Sequence, residues 1–196
     1  MFAAPANSLA AIVVMLAWVA FGVRVVMLRL ANSASAETLQ RRDGSSWWGI
    51  LLQSLAIGIA TFGAFHAQAM RFDAATLGTA ALPIVLALGG LLLFDSAARE
   101  LGRNWSLVAR VRADHALVTT GPFALVRNPI YLAMLLMTIA AGIALGHFVQ
   151  LIAAVPLFVL ATAIRVASEE RLLRAQFGTA FDDYAAKVAR LIPGIW

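Results

Sequence analysis

The apolar residues of this chain run in blocks too long for the alternation of a half-buried strand or the single stripe of a surface helix. Residues 47–70 form the longest uncharged stretch, and residues 77–94 follow after a short break holding Arg71 and Asp73. Residues 130–146 and 148–164 form a pair parted only by Gly146-His147. A fifth block, residues 8–23, is extended by residues 25–28 past a single Arg24. A helix needs about 20 apolar residues to cross a bilayer, with roughly 17 near the lower limit. The pattern predicts an all-α integral membrane protein of about five transmembrane helices. Its last two spans are short enough to need a locally thin bilayer or the support of neighbours. Residues 1–10 hold no basic residue and the apolar run after them is too long for a signal peptide, so the first block is expected to remain as a span.

Between the blocks the polar segments are unequal. Residues 32–46 make one loop, whereas residues 95–129 are far too long for a simple hairpin connection. That second segment should begin as a helical extension over 95–102, pass an extended stretch at 117–120 and end at the Gly121-Pro122 turn signal. Residues 165–177 should carry the fifth span out of the membrane, with Gly178 as its C-cap. Phe181, Tyr184 and Val188 then fall on one face of a short final helix that Pro193 ends.

Composition agrees with the pattern. The 196 residues are 62% hydrophobic and 13% charged, against roughly 25% charged in a soluble domain. The absence of cysteine excludes disulfides, thiol catalysis and cysteine-bound metals. The net charge of +5 is asymmetric along the chain. Arg41 and Arg42 lie in the first loop; Arg99, Arg103, Arg110, Arg112 and Arg127 follow the third span; Arg165, Arg171, Arg174, Lys187 and Arg190 fill the tail. The other side shows only Arg71. Basic residues favour the cytosolic side, so the N-terminus is expected outside and the C-terminal region in the cytosol, in an inner or plasma membrane. Membrane topology thus accounts for the charge without nucleic-acid binding, for which no motif is present.

Two constellations could carry chemistry. Asn128-Pro129 reads as a helix start, with asparagine as N-cap and proline at the first helical position. The free N–H groups there, with Arg127 beside them, would form an anion site; the plain alternative is a topology anchor next to an ordinary cap. Arg165 and Glu169 are four apart on one helix face where the fifth span leaves the bilayer, a depth at which charges are costly and either paired or functional. The plain alternative is a structural ion pair. Glu170 points elsewhere and is expected to be solvated.

The segment H-x-L-V-x-x-G-P-F-x-x-x-R-N-P-x-Y at residues 115–131 precedes R-x-x-x-E-E-x-x-L-x-x-x-F-G-x-x-F-x-x-Y at 165–184 and a closing R-L-I-P at 190–193. With the L-G-R-N-W-S of residues 101–106, these blocks resemble the isoprenylcysteine carboxyl methyltransferase family, to which membrane phospholipid N-methyltransferases are related. The resemblance implies an S-adenosylmethionine-dependent methyltransferase acting on a lipophilic or lipid-modified acceptor drawn from the membrane. Residues 1–94 would then be anchor, and residues 95–196 a catalytic region made of a cytosolic connector, the hairpin 130–164 and C-terminal helices.

By the same resemblance His115, Ala116, Leu117 and Val118 line the cofactor with Phe123, and Asn128, Pro129, Ile130 and Tyr131 complete the pocket. Glu169 contacts the cofactor and Arg165 faces the acceptor, the pair being the catalytic residues implied. Two positions depart from the family's eukaryotic members, which have tyrosine at Phe123 and histidine at Asn128. The second departure bears on the acceptor more than on the cofactor. An always-protonated arginine is a poor base but a good clamp for a carboxylate, which favours an anionic oxygen acceptor. His66, His115 and His147 lie in three separate segments, so no metal is expected. Rival readings are an NADPH-dependent membrane reductase of the sterol-reductase kind, a phospholipid N-methyltransferase, and a fold that has lost activity.

Overall fold

The computed structural model describes residues 6–33, 39–42, 46–63, 72–102, 110–112 and 117–194. Among the described residues six α-helices carry the chain: α1 (Ser8–Ser33), α2 (Ser46–Thr61), α3 (Ala74–Leu101), α4 (Pro129–Ala144), α5 (Phe148–Phe177) and α6 (Thr179–Lys187). α1, α3 and α5 have 26, 28 and 30 residues, or roughly 40 Å each at 1.5 Å per residue, and are long and apolar enough to cross a membrane. α2 and α4 have 16 residues each. The uncharged stretch 47–70 therefore does not become the longest helix, because α2 ends at Thr61, whose hydroxyl turns back on the carbonyl of Ile57 at 2.9 Å.

A short helix is tolerable where protein surrounds it. α4 buries Tyr131, Ala133, Leu135, Met137, Thr138, Ala140, Ala141, Gly142 and Ala144 over more than half of its circumference, and Leu132, Leu136, Ile139 and Ile143 on the remaining face are half-buried. α3 lies close against it at Gly90, where an added Cβ would come within 2.9 Å of the Ala133 carbonyl. α2 packs chiefly on α5, and α1 on α3. The outer faces stay apolar: Met15, Leu16, Val19, Val26, Met27 and Leu30 of α1 are exposed, as are Leu82, Val85 and Leu92 of α3 and Val149, Ile152 and Leu160 of α5. Apolar surface of that extent belongs against lipid.

The helix ends sort into two levels. At one, Asn7 caps α1 through the Ala10 N–H (3.1 Å), donates to the Thr76 carbonyl and to Thr79 Oγ1 (2.9 Å each), and its own N–H meets the Ala144 carbonyl. Asp73 caps α3 by accepting from the Thr76 N–H at 2.8 Å, which holds its carboxyl below the ordinary value. His147, the turn residue between α4 and α5, is buried with Nδ1 3.2 Å from the Ala60 carbonyl. At the other level Asp95 bridges Arg24 and Arg99 at 2.8 Å each, so the one charge interrupting the first apolar block is paired.

At this second level two short strands, β1 (Leu39–Arg42) and β2 (Arg110–Arg112), pair antiparallel with an irregularity between Leu39 and Arg41. The pairing brings parts of the two polar segments, 32–46 and 95–129, together. It also adds strand to the all-α expectation, and it lies at 110–112, not at 117–120. A 3-10 helix, Gly121–Ala124, occupies the expected turn. α5 ends at Gly178 as anticipated, with φ 53° and its N–H on the Arg174 carbonyl. α6 stops at Lys187, six residues before Pro193, because the chain turns extended at Val188 to pair with another segment.

Candidate functional site

The segment after β2 and the C-terminal tail meet over the ends of α4 and α5. Val126 and Ala189 form a parallel bridge, with the Arg127 N–H donating to the Ala189 carbonyl at 2.8 Å. Asn128 stands at the N-cap position with Pro129 next, but its side chain caps nothing. Its amide donates to the Arg190 carbonyl at 2.9 Å instead, fastening the tail. Leu191, fully buried, packs in one cluster with Tyr131, Leu135, Phe158, Val166 and Ala56. Phe123 is buried and its carbonyl accepts from the Tyr184 hydroxyl at 2.7 Å. Burial pushes that phenol up to about 12, with Glu170 adding to the shift and Arg127 opposing it, so it remains a donor.

Under this cover lie two groups of charges. In the first, Glu170 is buried, which overturns its expected solvation: it takes Arg127 Nε at 3.1 Å on Oε1 and Arg190 Nη2 at 2.8 Å on Oε2. Arg127 Nη1 also donates to the carbonyls of Ala185 and Val188. The anion that Arg127 meets is thus intramolecular, and Arg127 does not form an external anion site with the start of α4. Paired with both arginines, Glu170 joins α5 to the segment before α4 and to the tail.

The second group contains Arg165, Glu169 and Tyr131. Tyr131 donates its hydroxyl to Glu169 Oε1, and Arg165 Nη2 lies 3.7 Å from the same oxygen. That separation is an ion pair but exceeds a hydrogen bond. Arg165 instead lies over the Tyr131 ring at 4.9 Å and donates through Nη1 to Gln53 Oε1 at 3.0 Å. Gln53 in turn donates to Thr162 Oγ1 at 2.9 Å. The guanidinium is buried, whereas the Glu169 side chain keeps 27% of its surface exposed. A simple i,i+4 pair is therefore an incomplete description, since both heads are held by groups on other helices.

Gly49, one turn before Gln53, makes room for this arrangement. A Cβ there would fall 2.1 Å from Arg165 Cγ and 3.1 Å from the Ala161 carbonyl. Gly49→Ala is accordingly expected to destabilise the protein by about 1–3 kcal/mol, the usual cost of overpacking, read as a lowered thermal midpoint in detergent. An unchanged midpoint would mean that Arg165 is not wedged against α2.

Of the residues singled out in the sequence, Tyr131, Arg165 and Glu169 come together directly. Phe123 and Asn128 belong to the tail-binding group, linked to the first three through the adjacent Glu169 and Glu170. Pro129 is buried and Ile130 half-buried at the start of α4, and Leu117 and Val118 are half-buried ahead of the 3-10 helix. His115 and Ala116 lie outside the described residues, as do residues 103–109 and His66. Sequence reasoning missed Gln53 altogether and the roles of Glu170, Tyr184 and Arg190. Gln53 had a signal: an amide in an uncharged span is costly unless partnered.

Apolar helices long enough to cross a bilayer make this a membrane-integral protein, and buried charges and an aromatic ring gather between its helices. The model of the phospholipid methyltransferase family matches residues 79–180, just over half of the chain, and the chain belongs to that family. The match begins within α3 and ends inside α6. The chain is also 34% identical over 110 residues to a protein-S-isoprenylcysteine O-methyltransferase of Schizosaccharomyces pombe, covering 53% of this chain and 45% of that protein. It is 30% identical over 121 residues to the cobalt-zinc-cadmium resistance protein CzcN of Cupriavidus metallidurans, covering 59% of this chain and 52% of the relative. The chain spans about half the length of the curated relatives it matches.

Proposed function

We propose that the protein is an S-adenosylmethionine-dependent methyltransferase whose acceptor is a lipophilic molecule with an anionic oxygen, entering from the membrane. The observation that carries this is the Tyr131–Glu169–Arg165–Gln53 chain, which holds a carboxylate and a guanidinium side by side in the second half of α5. The donor chemistry fits the cofactor. Glu169, partly exposed, suits an ammonium group. The Tyr131 ring already carries one cation on its face, which suits a sulfonium. Ser168, three residues on from Arg165, buries a hydroxyl with no hydrogen-bond partner among the described residues. Leu117, Val118, Phe123 and the start of α4 would supply the apolar wall, together with His115 and Ala116.

When bound, S-adenosylmethionine supplies a methyl group on a sulfonium, whose S–C bond breaks as the acceptor oxygen forms its bond to carbon, leaving a neutral thioether and an ester. No proton moves, so the chain needs no general base. Its residues have to align, exclude water and balance charge. Arg165 would clamp the acceptor carboxylate, Glu169 the cofactor's ammonium, and the tail seated by Leu191 and Arg190 would keep the site dry.

The wider arrangement follows from the same reading. The five apolar helices cross the membrane, with the N-terminus outside and the site on the cytosolic side, where the cofactor is dissolved. Residues 95–196 form the catalytic region and residues 1–94 the anchor. The Schizosaccharomyces pombe relative is named for isoprenylcysteine and the family for phospholipid, both lipophilic. NADPH carries additional phosphates, and Arg127 and Arg190 are already committed to Glu170; this favours a methyl donor over a nicotinamide.

Calorimetry on the detergent-solubilised protein tests the reading. S-adenosylhomocysteine should bind with a Kd in the micromolar range, about −8 kcal/mol, and NADPH should give no heat above dilution. Tight NADPH binding without any response to S-adenosylhomocysteine would replace this reading with the reductase.

A further inference from the structure

Gln53 stands in the apolar run of α2, outside the matched family region, and is 2% exposed. A side-chain amide at that depth carries a desolvation cost that a leucine of similar size would avoid. Hydrogen bonds between membrane helices recover only part of it, because their net worth is modest. Helix packing alone therefore gives little reason for an amide here.

Its two bonds are directional. Nε2 is anchored on Thr162 Oγ1 at 2.9 Å, and Thr162 is fully buried. The anchor turns Oε1 toward Arg165, whose Nη1 donates to it at 3.0 Å. Gly49, on the same face of α2, admits the stem of that arginine. The guanidinium is thus held in plane by α2, with the Tyr131 ring against its face and Glu169 at 3.7 Å. A neutral amide orients a guanidinium without cancelling its charge, as a carboxylate at the same place would.

We infer that Gln53 is a positioning residue: through Thr162 and its carbonyl it fixes the Arg165 guanidinium for an anionic group on the acceptor, making α2 part of the acceptor site. The inference rests on the proposed methyl transfer to an anionic oxygen. It assigns a function to a helix that otherwise reads as anchor.

The test uses the full-length protein in phospholipid vesicles. N-acetyl-S-farnesylcysteine serves as the carboxylate probe and phosphatidylethanolamine as the amine probe, with S-adenosylhomocysteine affinity measured in parallel. Gln53→Leu should raise KM for the farnesylcysteine by roughly tenfold to a hundredfold, the scale of a misaligned reactant, with cofactor affinity nearly unchanged. Thr162→Val, which removes only the anchor, should raise KM less and in the same direction. Gln53→Glu separates positioning from packing. It would hold Arg165 at least as firmly and keep the thermal midpoint, yet raise KM because it neutralises the guanidinium.

Wild-type KM in the glutamate variant would overturn the inference, as would cofactor affinity that falls in step with KM in all three variants. Should the leucine variant not fold, the other two still decide. If the wild type methylates only the amine lipid, or binds S-adenosylhomocysteine and methylates neither probe, the role assigned to Gln53 is wrong. A wild type that binds no S-adenosylhomocysteine and transfers no methyl group would instead overturn the proposed function.

Discussion

Replacing Arg165 by alanine is expected to abolish methyl transfer while leaving S-adenosylhomocysteine binding close to wild type, and Glu169→Gln is expected to do nearly the reverse. The glutamine keeps the size of the side chain and can still accept from Tyr131, but it loses the charge. A charge-assisted bond to an ammonium is worth about 1.5–3 kcal/mol, so cofactor affinity should fall by roughly ten- to a hundredfold. Arg165→Ala removes the acceptor clamp and leaves Gln53 Oε1 without its donor, so some stability is lost too. Cofactor affinity should stay, because Tyr131 still holds Glu169 Oε1. A purely structural pair makes a different prediction: both variants lose similar thermal stability, and cofactor binding weakens only as the fold loosens. Measuring midpoint and affinity on the same preparations separates the two accounts.

The second large effect concerns Glu170. Its carboxylate is the common partner of Arg127 and Arg190, and both it and Arg127 are nearly out of solvent. Breaking a buried pair from one side strands the other charge and costs about 3–5 kcal/mol. Arg190 is more than a third exposed, so its share is screened and small. Glu170→Ala should therefore lower stability by about 3 kcal/mol and release the tail, exposing the segment beyond Val188 to protease. The neighbouring Glu169→Gln should not. If the tail of the Glu170→Ala variant resists protease as the wild type does, Glu170 is not what fastens it.

The adjacency of these two glutamates shows where the sequence stopped being informative. Residues at neighbouring helical positions point about 100° apart, so the E-E pair had to face two surroundings, but which stayed partly open beside Tyr131 and which was buried against Arg127 and Arg190 depended on the tail. Arg190 lies twenty residues away, beyond the end of α5 and the whole of α6, and only the fold brings it to Glu170. The same holds for Asn128, whose cap position was legible and whose side chain is drawn off by the Arg190 carbonyl. The β1–β2 pairing had no apolar alternation to announce it, being built on arginine-rich loops.

The long helices were legible because a block of apolar residues has few other ways to exist, and α1, α3 and α5 fall where the blocks are. α2 was drawn too long, since hydropathy does not register a helix ending within an apolar run. The tertiary bond of Gln53 was hidden in the same run. The i,i+4 spacing of Arg165 and Glu169, and the family resemblance at Tyr131, made these three residues candidates, and the structure brings them together.

Methyl transfer to a lipophilic oxygen acceptor is read out by following the methyl group itself. Purified protein in vesicles is incubated with S-adenosylmethionine tritiated in its methyl group and with N-acetyl-S-farnesylcysteine, and the organic extract is counted before and after mild base. Label should enter the extract only with active protein and return as volatile methanol on base treatment, the signature of an ester. Label that stays in the lipid through base would contradict the oxygen acceptor, and an extract without label under any acceptor would contradict the methyltransferase.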